Sequence, residues 1–170
     1  MMTRFPATGL IAVALVLAAG TASAAPLPTA KQLPLSVATE AALTAVADCQ
    51  KSGYLVTATV VDASGLVKVV AKGDGAPPHT RRSRGKAYAA VSLGPNFRES
   101  TTSGVVAKVS NNTAFGALQH LPNVFLVAGG VVIKSGDDVV GAIGVGGSPG
   151  GDKDEVCAQA AVAKIADQLK

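Results

Sequence analysis

Residues 131–147 read VVIKSGDDVVGAIGVGG, and this stretch decides the fold class. Val131 to Lys134 and Val139 to Val145 are dense in β-branched residues, whereas Ser135 to Asp138 is made of residues that favour tight turns. Two such runs around a short turn predict a β-hairpin, whose strands are antiparallel. The chain therefore contains at least one locally paired antiparallel unit.

A second hairpin is predicted earlier in the chain. Its strands are Tyr54 to Val61 and Leu66 to Ala71, joined by a turn at Asp62 to Gly65. A further short strand is predicted at Val124 to Ala128, which is apolar and is followed by Gly129-Gly130. Strands joined by tight turns favour an antiparallel sheet, since parallel strands need long crossovers.

Helical patterns fill the remaining segments. They are predicted from an N-cap at Ser36 to about Lys51, from His79 or Thr80 to Gly94-Pro95, in two short pieces between Glu99 and His120, and from an N-cap at Asp152 or Asp154 to Leu169. The sequence thus predicts a single α/β domain whose central, mostly antiparallel sheet is flanked by helices.

Residues 1–24 have the three parts of a secretory signal. Met1 to Arg4 is positively charged, Gly9 to Gly20 is apolar throughout, and Ala22-Ser23-Ala24 is a small-x-small cleavage site. The apolar run is shorter than the roughly 20 residues that span a bilayer, which favours a cleaved signal over a retained anchor. We expect a flexible leader at residues 25–34, a domain at residues 35–170, and an exported protein, periplasmic or extracellular, without stable membrane insertion.

The charge balance gives no indication of a nucleic-acid partner. The chain has 15 Lys and Arg against 11 Asp and Glu, a formal charge of +4. Part of the excess lies in Arg81, Arg82, Arg84 and Lys86, a patch that is too short for a nucleic-acid footprint and has no interleaved aromatic residues for base stacking. We expect no nucleic acid to bind.

Two cysteines, Cys49 and Cys157, lie outside the signal, one in the first predicted helix and one in the last. In an exported protein a lone pair favours a disulfide, because the compartment is oxidising. The alternative is two buried free thiols. A disulfide would require the first and last helices to lie side by side. Neither CxxC nor zinc spacing is present, so we interpret the pair as structural.

His79 is the candidate ligand residue. It follows GDGAPP at residues 73–78 and begins a predicted helix, so its imidazole could ligate a metal or a haem iron. The alternative is a histidine that caps the helix end. His120 stands at a predicted helix C-terminus, where the helix dipole favours it. No third histidine exists for a His-rich zinc site.

The remaining motifs decide no reaction. GAIGVGG at residues 141–147 resembles a dinucleotide-binding string in composition only, because no parallel βαβ unit follows, and close packing is the favoured interpretation. Ser64 and Ser148 lack a His–Asp pairing that would support serine hydrolysis. The acidic residues Asp152, Asp154 and Glu155 either hold a cation or, as we prefer, complement a helix dipole.

Taken together, four strings resemble the GlcG/HbpS family of haem-binding or haem-degrading domains. They are VVDASG at 60–65, GDGAPPHT at 73–80, GGVVIK at 129–134 and VGAIGVGGS at 140–148. Each string alone is weak, whereas their order and spacing are fairly specific. The similarity covers about Leu35 to Leu169. One departure is Val131-Val132, where relatives often have a proline.

The resemblance implies haem as the cofactor and homo-oligomers as the assembly. It makes His79 the candidate ligand of the haem iron. Arg81 and Arg82 become candidates for binding the haem propionates, and the alternative for both is a solvated helix face. The favoured function is an exported haem-binding protein that handles or senses haem. The alternatives are a small enzyme that degrades haem or acts on a small organic acid, and a cofactor-free partner-binding module. Because no substrate-activating group is evident, a non-enzyme is favoured.

Overall fold

The computed structural model describes residues 25–170, and the predicted signal at residues 1–24 lies outside them. Its elements in chain order are α1 (Leu35–Lys51), β1 (Thr57–Asp62), β2 (Val67–Lys72), α2 (Thr80–Phe97), α3 (Thr102–Val109), α4 (Phe115–Gln119), β3 (Gly130–Ser135), β4 (Asp138–Gly146) and α5 (Gly151–Ile165), followed by a short 3₁₀ helix at Ala166–Leu169.

The four strands form one antiparallel sheet in the order β2-β1-β4-β3. Both predicted hairpins are present, and they join through β1 and β4, with Val60 opposite Ile143. The first hairpin turns at Gly65, which has a φ of 78°, and the Asp62 carboxylate accepts hydrogen bonds from the Ser64 and Leu66 amides. The predicted fold class is confirmed.

Helices cover both faces of the sheet. α1 and α5 pack on one face, where Val60 and Ile143 contact a row of alanines from the helices. α2 packs on the other face, where Val61 and Val132 contact Ala87. Alternate residues of each strand therefore enter two different cores, as the pleat requires.

Two glycines let α2 lie directly on the sheet. A Cβ atom at Gly144 would overlap the Ser83 carbonyl and the Ala87 amide, and one at Gly130 would overlap the Lys86 carbonyl. All three of these helix positions belong to α2. The glycine-rich string is thus needed for close packing, as the favoured interpretation held.

The predicted disulfide between Cys49 and Cys157 is present and joins α1 to α5. The Cα atoms are 5.5 Å apart, in the usual range for a disulfide. Both cysteines are buried in the core between the two helices. The predicted adjacency of the first and last helices is confirmed with it.

The predicted end of α2 is wrong. The helix continues through Gly94-Pro95 to Phe97 and ends at Arg98, whose φ is 55°. Proline is tolerated because it lies in the last turn, where its missing N–H removes a single helical hydrogen bond. The Arg98 and Glu99 amides then bond to the carbonyls of Pro95 and Gly94 and close the helix.

Two predicted N-caps are also wrong. α1 is preceded by Pro34, so that Ser36 lies inside the first turn and caps nothing. α5 is preceded by Gly150, with Asp152 and Asp154 inside its first turn. Asp154 does not cap the helix because its carboxylate bonds instead to Ser148 and Lys86.

The predicted strand at Val124 to Ala128 does not form. The segment is an extended loop in which the Phe125 amide donates to the Gly85 carbonyl of α2, at 3.1 Å, instead of to a neighbouring strand. Leu126 is buried beside α2 and α3, so the apolar pattern reflects contact with helices. This loop forms one wall of the site described below.

Residues 25–34 have no helix or strand, and Leu33 is buried in the core beneath α1. The Lys31 ammonium lies 3.0 Å from an Asp138 carboxylate oxygen at the start of β4. Across residues 25–170, none of the helices is both long enough and apolar enough to cross a bilayer.

Candidate functional site

The site is built around the start of α2. His79 is the last residue before the helix, and its carbonyl accepts hydrogen bonds from the Arg82 and Ser83 amides. The imidazole is half-buried, and its Nε2 atom lies 3.3 Å from Nη1 of Arg82. A guanidinium can only donate, so His79 Nε2 is the acceptor of this contact.

A small cavity of about 170 Å³ lies beside His79. Its walls come from the start of α2, from the loop at residues 146–151 and from Phe125 and Val127. The helices α2 and α5 both begin at this cavity, so their positive dipole ends point towards the same space. Its polar lining residues are His79, Arg82, Lys86, Ser148 and Asp154.

A buried ion pair forms the floor of the small cavity. The Lys86 ammonium lies 2.6 Å from Asp154 Oδ2, and each side chain is 4% exposed. The other Asp154 oxygen accepts from the Ser148 amide at 3.1 Å and lies 2.7 Å from the Ser148 hydroxyl. The carboxylate therefore joins α2 to the glycine-rich loop and is fully engaged, as a buried charge must be.

Ser148 lies in the sequence GGSPG at residues 146–150, between a strand and a helix, which is the arrangement of a nucleophile elbow. Its hydroxyl, however, lies 2.7 Å from Asp154 Oδ1 and 2.6 Å from the Gly150 carbonyl. Within residues 25–170, no imidazole hydrogen bonds to it. The serine therefore supports the loop, and the geometry provides no general base to activate it.

Glu155 is a second buried carboxylate next to this network. It accepts hydrogen bonds from the Ser103 hydroxyl and amide and from the Gly129 amide at 2.9 Å. Ser103 is in the first turn of α3, so Glu155 satisfies a free amide at that helix N-terminus. The predicted acidic cluster is thus divided between two structural partners, and residues 25–170 contain no cluster of potential metal ligands.

A larger basic groove of about 550 Å³ adjoins the small cavity, and the two share Arg82 and Phe125. One wall of the basic groove is the first turns of α2, with Arg81, Arg82 and Arg84. The facing wall is the loop that ends at Phe125, with Leu121 and Val124. An apolar wall thus faces three guanidinium groups.

The guanidinium groups of the groove have no acidic partners in the part of the chain that the structure describes. Among residues 25–170, none of the ion pairs includes Arg81, Arg82 or Arg84. All three side chains are exposed. Like charges one turn apart on a helix repel each other slightly, so a bound anion would be favourable here.

The structure therefore places the predicted ligand residues in two adjoining spaces. Arg81 and Arg82 line the basic groove, whereas His79 lines the small cavity and touches the groove only through Arg82. His120 is exposed at the end of α4 and lines neither space. The roles of these residues in ligand binding stay predictions.

Sequence reasoning missed the residues that complete the site. Lys86 and Asp154 are 68 positions apart, and no local pattern pairs them. The apolar wall at Phe125 was hidden because the segment Val124 to Ala128 resembles a strand. The one feature of the sequence that could have indicated a buried ion pair is Lys86, a charged residue at an inward position of an alanine-rich helix.

These features define an α/β domain with an antiparallel sheet and a cation-lined groove at the start of its central helix. The model of the family described as haem-degrading protein HbpS-like matches residues 33–163. The chain belongs to this family. No curated protein sequence matches it.

Solved structures show the same fold. A double mutant of HbpS from Streptomyces reticuli is 34% identical, with a TM-score of 0.73, and the match covers 91% of this chain and 98% of that one. The ORFY protein of Klebsiella pneumoniae is 23% identical, with a TM-score of 0.73 and coverage of 85% and 98%. A complex described as PduOC with haem is 24% identical, with a TM-score of 0.66 and coverage of 78% and 94%.

Proposed function

We propose that this protein binds haem outside the cytoplasm, in the basic groove between the start of α2 and the loop that ends at Phe125. The observation that carries the proposal is an apolar wall that faces three guanidinium groups, none of which has an acidic partner among residues 25–170. Haem has the same two-sided chemistry, since its macrocycle is flat and apolar and its two propionates are anionic. The HbpS-like family and a haem complex with the same fold add support.

The donor set fits haem in outline. Arg81 and Arg82 would hold the propionates through charge-assisted hydrogen bonds, and Phe125 would contact the apolar ring. His79 would hold the iron through its imidazole. Its Nε2 atom lies 3.3 Å from Nη1 of Arg82, so this contact would have to open before Nε2 could hold iron. When bound, haem supplies the iron and the redox chemistry, and this chain supplies the position and the charge.

Titration of the purified mature protein with haem tests the proposal. We expect a saturable change in the visible spectrum with a sharp Soret band, and a weaker or shifted band in His79→Ala. A haem spectrum that stays the same at all protein concentrations would contradict haem binding. A haem-bound spectrum of His79→Ala that matches that of the unaltered protein would contradict a role of His79 in holding the iron.

Export is part of the proposal. The signal-like residues 1–24 and the Cys49–Cys157 disulfide both support it, because structural disulfides persist in oxidising compartments. Fractionation of cells that make the whole chain tests this prediction. Protein that is confined to the cytoplasm and retains residues 1–24 would overturn it.

Haem turnover is the second candidate function, favoured by the description of the family as haem-degrading. Incubation of the haem-loaded protein with a reductant and oxygen tests it. The appearance of biliverdin absorbance at a rate that depends on protein concentration would support turnover, whereas a stable haem spectrum would leave the protein a haem binder.

Self-association is the proposed assembly. Leu35 and Leu43 on the outer face of α1 are 61% and 57% exposed, and Leu66 beside the edge strand β2 is 67% exposed. Exposed apolar side chains, and a sheet edge that no other strand of residues 25–170 pairs with, favour contact with a second copy. Light scattering after size exclusion tests this, and Leu43→Lys should shift the mass towards that of a monomer. A monomeric mass for the unaltered protein would refute self-association.

A further inference from the structure

Among the described residues, none that lines the basic groove has a side chain that normally ligates iron. Its described lining consists of the three arginines, the apolar residues and Pro78, Gly85 and Asn123, without an imidazole, thiol, thioether or phenol. His79 reaches the groove only past Arg82, which occupies its Nε2 atom at 3.3 Å. Recognition inside the groove therefore depends on charge and on an apolar surface.

The arginines are arranged to meet more than one carboxylate. Arg81 and Arg84 are one helical turn apart on the same face of α2, and Arg82 stands at the border with the small cavity. A bidentate pair uses one guanidinium for one carboxylate, so three guanidiniums that lack an acidic partner among residues 25–170 can receive two carboxylates at separate positions. Arg84 thereby joins Arg81 and Arg82 as a binding residue.

The facing wall offers a surface for a flat ring. Phe125 and Leu121 are 38% and 42% exposed, so both present apolar surface to the groove. The Phe125 amide is tied to the Gly85 carbonyl of α2, and a Cβ atom at Gly85 would lie 2.6 Å from Cβ of Phe125. The backbone beneath the wall is therefore fixed against the helix that carries the arginines.

From this arrangement we infer that the groove recognises the carboxylates and the apolar ring of a tetrapyrrole and not its iron, so that an iron-free porphyrin dicarboxylate is a ligand of the same site. This inference rests on the proposed haem site and specifies its ligand class. Affinity comes from the groove, and His79 adds a contribution only when iron is present.

Parallel titrations with haem and with iron-free protoporphyrin IX test the inference. Protoporphyrin is followed by its own fluorescence, which needs no iron and no turnover. We expect its dissociation constant to be within about tenfold of that of haem. Arg84→Gln and Arg81→Gln should each weaken both ligands by about fivefold, as expected for the loss of one partly exposed ion pair. In His79→Ala, the affinity for haem should fall towards that for protoporphyrin.

The matched control is Lys164→Gln, which removes the same charge from an exposed position at the end of α5, away from the groove. It should change neither dissociation constant by more than about twofold, and circular dichroism confirms that each variant is folded. If haem binds and protoporphyrin does not, the inference is wrong while the proposed function stands. If neither binds, the proposed function itself fails. Protoporphyrin binding that is unaffected by both arginine variants would place the ligand elsewhere and also overturn the inference.

Discussion

At the residue scale, the Lys86–Asp154 pair is the most consequential contact of the site. Both side chains are 96% buried, and the pair connects α2 to the loop at residues 146–151. Burying two charges is favourable only while each compensates the other. Its main effect is to hold the start of α2 against this loop, and both line the small cavity.

Replacing one member of this pair should therefore be costly. Lys86→Met leaves Asp154 buried without its cation, and we expect a loss of about 3–5 kcal/mol in the free energy of unfolding, measured by urea denaturation. Lys153→Met is the control, because Lys153 is exposed on the same turn of α5 as Asp154. Equal denaturation midpoints for the two variants would show that the ion pair contributes little.

At the scale of elements, the contact between α2 and the sheet positions the basic residues at the start of this helix. The helix rests on Gly144 and Gly130, and its first turns carry His79, Arg81 and Arg82 to one end of β4. A side chain beneath the helix would lift it and shift those residues together. Glycine is therefore required at these positions by the space available.

Gly144→Ala tests this packing. The added methyl overlaps the backbone of α2, and we expect a destabilisation of about 1–3 kcal/mol, together with weaker haem binding because the arginines move. Gly116→Ala is the matched control, since nothing lies within 4 Å of the corresponding position in α4. A thermal midpoint for Gly144→Ala as high as that of the control would be inconsistent with close packing.

The elements also show what local sequence can predict. Both hairpins were predictable because their strands pair with their nearest neighbours around Gly65 and Gly136, both of which have positive φ values. The loop at Val124 to Ala128 could not be predicted from local sequence. Its buried side chain contacts α2 and α3, and its backbone donates a hydrogen bond to a carbonyl of α2 instead of to a strand. The acids of α5 were misassigned for the same reason, because Asp154 and Glu155 bond to residues 68 and 52 positions away.

At the scale of the whole molecule, the Cys49–Cys157 disulfide closes the layer formed by α1 and α5 across 108 positions. The core under it is built from alanine and valine, which bury less area per residue than larger side chains. A cross-link over so long a loop stabilises mainly by restricting the unfolded chain.

Removing the disulfide should lower stability substantially. The Cys49→Ala, Cys157→Ala double variant is expected to lose about 4–5 kcal/mol, measured as the free energy of unfolding in urea. Reductant should destabilise the unaltered protein by a similar amount and leave the double variant unchanged. If the double variant were as stable as the unaltered protein, the cross-link would have no energetic role.

The central proposal is that haem binds in the basic groove, and a crystal structure of the haem complex tests this location directly. We predict a macrocycle between the start of α2 and Phe125, with its propionates at Arg81, Arg82 or Arg84 and its iron on the side of His79. A macrocycle bound against the outer face of α1 or along the β2 edge, with the basic groove empty, would contradict the account.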